Sequence, residues 1–270
     1  MSESLQPINP FRDEPTGLNP DTEGFFQAFV SDYESGESTQ PDQVRKESTT
    51  EPTSEQFNLI VSGEEKERFD NELIPCAGIE ITRKQERQIQ EILNNLNKER
   101  QQNGLEAVEL GKEINLHKIT IGGKTQEQLE EELRQQGNQI SPDAQSMLHS
   151  KDFTTKERKE QNILIRLSVT DLGFPQGATT DEIFNKAQEL GMELCPPETG
   201  PQWRLQYQDQ PMNEWVRIGM KQITDSGGYL NVFHLARDSG GLWLSDAWAE
   251  PAGRWGLSDT FVFRPASLTL

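Results

Sequence analysis

The tetrapeptide Asp-Ser-Gly-Gly occurs twice, at 225–228 and at 238–241. Each copy lies between runs rich in β-branched and aromatic residues. Glycine accepts positive φ at no steric cost, so both copies read as hairpin turns. The runs around them are WRLQY, EWVRIGMKQI, YLNVFHLAR, GLWLSDAWA and TFVFR, and further turn signals stand at 209–211 and 251–253. Five such runs so closely spaced predict a twisted antiparallel meander of four or five strands. One or two helices would pack on it, giving an α+β class.

Helix signals precede the meander. Over 79–100, Ile81, Gln85, Ile89, Ile92, Leu93 and Leu96 recur at spacings of three to four, which is one face of a helix. Thr125 with Gln128, and Thr179 with Glu182, each form a capping box. These predict helices over 125–137 and 177–191. Ser141 before Pro142 predicts a short third one over 141–150. HKITIGG (117–123) reads as a short strand with a glycine turn. QNILIRLSVTDLGF (161–174) reads as a strand buried on both faces. In CPPETGPQWRLQY (195–207), three prolines fix φ and block helix continuation. That stretch predicts an extended passage from the helix ending at Gly191 into a strand WRLQY.

The first quarter differs in kind. Residues 1–75 carry 17 acidic and 5 basic residues, net -12 of the chain's -19. Residues 1–55 are rich in Ser, Thr, Glu, Asp, Pro and Gln. Such a segment buries too little apolar surface to offset its ordering entropy, so a disordered acidic tail is expected. Within it, Phe25, Phe26, Phe29 and Val30 share one face of a short helix over 24–33. Two readings stand for that island: a motif that folds into a partner's groove, or a helix docking on its own C-terminal domain. FNLIVSG (57–63) reads as a short strand or a tail segment lying on the body. The expected division is a tail over 1–75, a helical region over 76–150 and an α+β domain over 151–270.

Charge excludes some partners. Nucleic-acid binding rests on Lys and Arg neutralising phosphates, and no basic stripe is present. The same argument weighs against an anionic membrane surface. No apolar run approaches the roughly 20 residues that span a bilayer. MSESLQPINPF lacks a basic region followed by an apolar one, so a cytoplasmic location is expected.

The run LSVTDLGFPQGATTDEIFNKAQELGMELCPPETGPQWRLQYQDQP, followed by EWVRIGMKQITDSGG, VFHLARDSGGLWL and FVFR, resembles a family of bacterial hypothetical proteins. The likeness covers roughly residues 115–265. It rests on the motifs LGFxxGATTxEI, ELCPxExGP and RLQYxDQP. That family carries no assigned activity, so the resemblance implies no catalytic residues. The Trp-rich end, WLSDAWAEPAGRWGLSDTFVFR, is also faintly similar to C-type-lectin-like folds.

Few residues combine into chemistry. Cys195 is a candidate nucleophile, with Glu198 in its loop and His234 as the only base available within the sheet. Cys195 follows the negative end of a helix, which works against a thiolate. The opposing reading makes it a small buried group anchoring the loop. The three histidines, His117, His149 and His234, have no partner at a metal-ligand spacing, so no metal site and no cofactor are expected. All five tryptophans lie beyond residue 202. Trp248, Arg254 and Trp255 flank the loop AEPAGR, and aromatic rings beside arginine make up interface hot spots. The reading that follows is a non-enzymatic protein that binds a protein partner through this Trp-rich domain, with Phe25, Phe26 and Phe29 as a second contact. Two alternatives remain: a cysteine-dependent hydrolase or transferase using the 195–201 loop, and a lectin-like binder of a small ligand.

Overall fold

The computed structural model describes residues 63–266, which belong to one compact unit. The Phe25–Val30 island and the segment 57–62 lie outside the described residues. The described part begins with helix α1 (Gly63–Asp70) and a hairpin of β1 (Leu73–Cys76) and β2 (Ile79–Thr82). Regular structure therefore starts inside the segment expected to be tail.

Helix α2 (Arg83–Gln102) follows. Its start is set by Thr82 and Gln85, which form a capping box. The residues 79–82, expected at the head of this helix, are strand instead, because the cap at Thr82 places the first turn after it. The other capping boxes fall where the sequence puts them: Thr125 with Gln128 opens α3 (Gln126–Gln135), and Thr179 with Glu182 opens α5 (Thr180–Glu189). Between them, Ser141 caps α4 (Pro142–Leu148).

Nine of the strands form one curled sheet, β1-β2 and β6-β12 pair separately, and the fold is α+β. The further strands are β3 (Asn115–Ile121), β4 (Gln139–Ile140), β5 (Glu160–Ser168), β6 (Ala178–Thr179), β7 (Met192–Glu193), β8 (Trp215–Ile218), β9 (Ile223–Thr224), β10 (Leu230–Asp238), β11 (Gly241–Trp248), β12 (Arg254–Trp255) and β13 (Thr260–Pro265). Among the described residues the main sheet has the order β3-β5-β13-β8-β10-β11-β4, with β7 beside β13 and β9 beside β10. β10 and β11 make the expected hairpin across the second Asp-Ser-Gly-Gly. In both copies the aspartate side chain accepts the amide of the residue two positions on: Gly227 N–H to Asp225 and Gly240 N–H to Asp238. Two features exceed a simple meander. The C-terminal β13 inserts between β5 and β8 and runs parallel to β8. The strand from 115–121 pairs along its length with β5, so the region 76–150 shares this sheet.

The run EWVRIGMKQI is broken into β8 and β9 rather than continuous. A Cβ at Gly219 would stand 2.2 Å from the Phe263 ring, so the chain passes there only without a side chain. The break frees Gly219 O to accept the Cys195 amide at 2.7 Å, and Cys195 bridges to Met220.

Side chains alternate between the two faces of each strand. On one face the register aligns Leu164, Val262, Val216, Leu235 and Leu244; on the other it aligns Ile165, Phe261, Arg217, His234 and Ser245. Over the second face α2 packs Ile89, Ile92 and Leu96 near Ile165 and Leu167, and α5 sets Phe184 edge-on to Phe261 and Phe263.

The first face is covered by a helix where a strand is expected. Trp203 to Gln206 lie in α6 (Thr199–Gln206) with Tyr207 as its C-cap, and the extended passage into a strand is not formed. Pro201 sits in the first turn of α6, where its missing N–H has no intrahelical partner to lose. The remaining residues have a period of four. Trp203 stacks on Tyr207 with ring centroids 5.2 Å apart and planes at 5°. Thr199 through Leu205 are all buried. Close approach to the sheet comes from Gly200, where an added Cβ would meet Phe233 at 2.7 Å.

Candidate functional site

Helix α6 does the work of an edge strand for β3. Gly122 donates its N–H to Glu198 Oε2 at 3.0 Å, and its carbonyl accepts from Gln202 Nε2 at 3.3 Å. Thr120 donates its N–H to Gln206 Oε1 at 2.9 Å, and Gln206 Nε2 donates back to Thr120 O at 2.8 Å. From Gln202 to Gln206 the helix advances about 6.0 Å and from Gly122 to Thr120 the strand spans about 6.7 Å, so these two glutamines keep step with the strand, while Glu198 and Gln202 share Gly122. An exposed strand edge invites pairing with another chain, and this arrangement closes it.

Glu198 is fully buried. Besides Gly122 it accepts the Lys156 amide at 3.0 Å. Burial raises its carboxyl above the usual range, and the two amide hydrogen bonds oppose that shift. Glu198 thus joins β3, the 151–159 loop and α6.

Arg204 is also fully buried. It donates to Gln210 Oε1 and to Tyr207 O. Burial lowers its guanidinium to about 10. Gln210 in turn donates to Glu214 O at 3.0 Å and Leu235 O at 3.2 Å. Tyr207 donates to Glu214 Oε2 at 2.8 Å, and Glu214 also pairs with Arg166. In the motif RLQYxDQP, the buried Arg204 and Gln210 and the half-buried Tyr207 therefore connect α6 to β8, whereas Gln206 and Asp209 are exposed.

The three residues of the nucleophile reading do not come together. Cys195 is buried, its thiol reaches Val262 O at 3.7 Å, and burial pushes it up to about 12. That environment holds the thiol protonated. Glu198 starts the helix on one face of the sheet, whereas His234 projects from the other face with Arg217. Cys195 and Glu198 anchor the loop; His234 belongs to a different surface.

The Trp248–Arg254–Trp255 group also divides. Trp248 is exposed at the end of β11, on the face opposite to Ser245. Trp255 is half-buried and turned inward: it lies edge-on to Phe261 at 5.0 Å and donates Nε1–H to Thr180 Oγ1 at 2.9 Å. Arg254 donates to Gly177 O at 3.0 Å, and β12 pairs with β6.

A different aromatic row occupies the face of β8, β10 and β11 that carries His234. Trp215 is 54% exposed, although it lies within a strand. Its ring stacks on His234 with centroids 5.8 Å apart and planes at 9°. Across β10 the register places Trp215 opposite Ala236, and Ala236 opposite Trp243. Trp243 is half-buried and donates Nε1–H to Asp238 Oδ1 at 2.9 Å. At the other end Arg217 lies over the Trp255 ring at 5.0 Å and pairs with Asp259 at 2.9 Å. Burial lowers His234 to about 4, and Arg217 adds to that. A groove beside this row, where β8 and β13 begin, is lined by Arg166, Met212, Trp215, Arg217, Asp259 and Thr260. Met212 is exposed as well.

The sequence marks Trp215 only as one of five tryptophans beyond residue 202, and its exposure is a finding of the structure. The available signal is alternation: Trp215 and Arg217 share one face of β8, and Val216 and Ile218 the other. No helix among the described residues is long and apolar enough to cross a membrane, and none of their His, Cys, Asp and Glu side chains gather in threes as a metal site. No protein-family model, curated protein or solved structure matches the chain.

Proposed function

We propose that this is a non-enzymatic binding protein that holds a protein partner on the face of β8, β10 and β11. The supporting observation is Trp215, an exposed indole fixed in place by stacking on His234. A large apolar side chain held this way sacrifices little conformational entropy on binding. Tryptophan beside arginine, with an exposed methionine at the margin, has the composition of an interface centre. The surface moves from the loop around Trp248 and Trp255 to this strand face, because Trp255 already fills the domain's own packing.

A photo-crosslinking amino acid placed at position 215 tests the reading in the native host. A discrete protein adduct from 215, absent from a probe at the equally exposed Tyr229, is the expected result. Adducts only to nucleic acid, or the same adducts from both positions, would overturn it.

A further inference from the structure

The charges around the aromatic row point to the kind of partner it takes. Both guanidiniums that border the groove are neutralised within the domain, Arg217 by Asp259 at 2.9 Å and Arg166 by Glu214. Asp238 is exposed beside Trp243, and its Oδ1 holds the indole N–H and the Gly240 amide. Residues 76–270, which carry this face, hold 28 acidic and 21 basic residues, net -7. A cation approaching this face therefore meets a negative potential, exposed indole and no uncompensated positive charge from either groove arginine. Tryptophan is the best ring for receiving a cation, and long Lys and Arg stems lie well along apolar surface. An acidic partner would meet repulsion instead.

We infer that the partner presents a basic segment, placing an arginine or lysine side chain across Trp215 toward Trp243 and Asp238. This rests on the partner-binding reading above and narrows it to one chemistry. The negative charge of the domain raises the encounter rate, and the ring contact sets the dwell time.

Calorimetry on the full chain with Arg-Gly, Glu-Gly and Ser-Gly repeat peptides of equal length tests it. The Arg-Gly peptide binds and weakens at high salt. Its affinity falls roughly tenfold in Trp215→Ala and about threefold in Asp238→Asn. The Glu-Gly peptide does not bind. Trp215 is exposed, so the Trp215→Ala variant stays folded, which far-UV circular dichroism verifies. Equal binding of the Ser-Gly or Glu-Gly peptide that still requires Trp215 would overturn the basic preference and leave the aromatic face standing. Arg-Gly binding unchanged in Trp215→Ala, or no binding of any peptide, would overturn both.

Discussion

The side-chain amide of Gln206 satisfies both backbone groups of Thr120, accepting its N–H at 2.9 Å and donating to its carbonyl at 2.8 Å. A glutamine here does what a neighbouring strand residue would do. Replacing it with alanine opens the outer edge of β3 at that rung. The expected loss is about 1 kcal/mol of stability. Native-state hydrogen exchange shows the change most directly: the Thr120 amide exchanges faster in Gln206→Ala while amides of β10 keep their protection. An unchanged Thr120 rate would contradict the edge-closing role.

Glu198 carries a larger share of the same arrangement. Glu198→Ala removes the acceptor for two amides, those of Gly122 and Lys156, in a fully buried setting. Each stranded donor costs about 1–3 kcal/mol. Partial relief from burying a carboxylate offsets some of this, so a net loss of about 2–4 kcal/mol is expected in urea unfolding. A change below about 0.5 kcal/mol, the size of an ordinary surface substitution, would contradict it.

How legible was this helix in the sequence? The capping boxes at Thr125 and Thr179 were plain, because a local side-chain-to-backbone exchange needs nothing from the rest of the chain. Helix α6 is hidden by Pro196, Pro197 and Pro201, which argue locally for extended backbone. Its true signals were Glu198, Gln202 and Gln206 at spacings of four and Trp203 over Tyr207. Those residues become a pattern only when the edge of β3 is there to receive them. The insertion of β13 between β5 and β8 is equally invisible locally, since its partners lie far away in the chain. Asp-Ser-Gly-Gly marks both hairpin turns in the sequence. The exposure of Trp215 is not marked there, because burial is a property of what covers a strand rather than of the strand.

His234 gives the domain a pH dependence of known sign. Burial, and then Arg217, lower it from 6.5 to about 4. Between those values the unfolded chain takes up a proton that the native state refuses. Stability is therefore full above the unfolded value and falls as pH drops from 6.5 toward 4. The contribution is at most about 3 kcal/mol. His117, lowered by burial and then by Arg166, acts in the same direction. His234→Phe keeps the stack on Trp215 and flattens the midpoint-against-pH curve in that window. A mutant curve as steep as the parent's would contradict this assignment.

The two thiols should separate cleanly. Cys76 is half-buried, whereas Cys195 is buried and held at about 12. Under native conditions at neutral pH, iodoacetamide is expected to label Cys76 and leave Cys195 unmodified until denaturant is added. Mass spectrometry of the peptides reads the outcome. Rapid native labelling at Cys195 would revive the nucleophile reading of its loop.

The account turns on which indoles meet the partner. The chain has five tryptophans, of which Trp203 is fully buried and Trp215 lies open beside His234. Their side-chain N–H signals resolve in a nitrogen-15 NMR spectrum, assigned by single substitutions. Titration with the Arg-Gly peptide is expected to move the Trp215 and Trp243 signals first and to leave Trp203 and Trp255 in place. Shifts confined to Trp248, with Trp215 still, would contradict the central claim that the binding surface is the face of β8, β10 and β11.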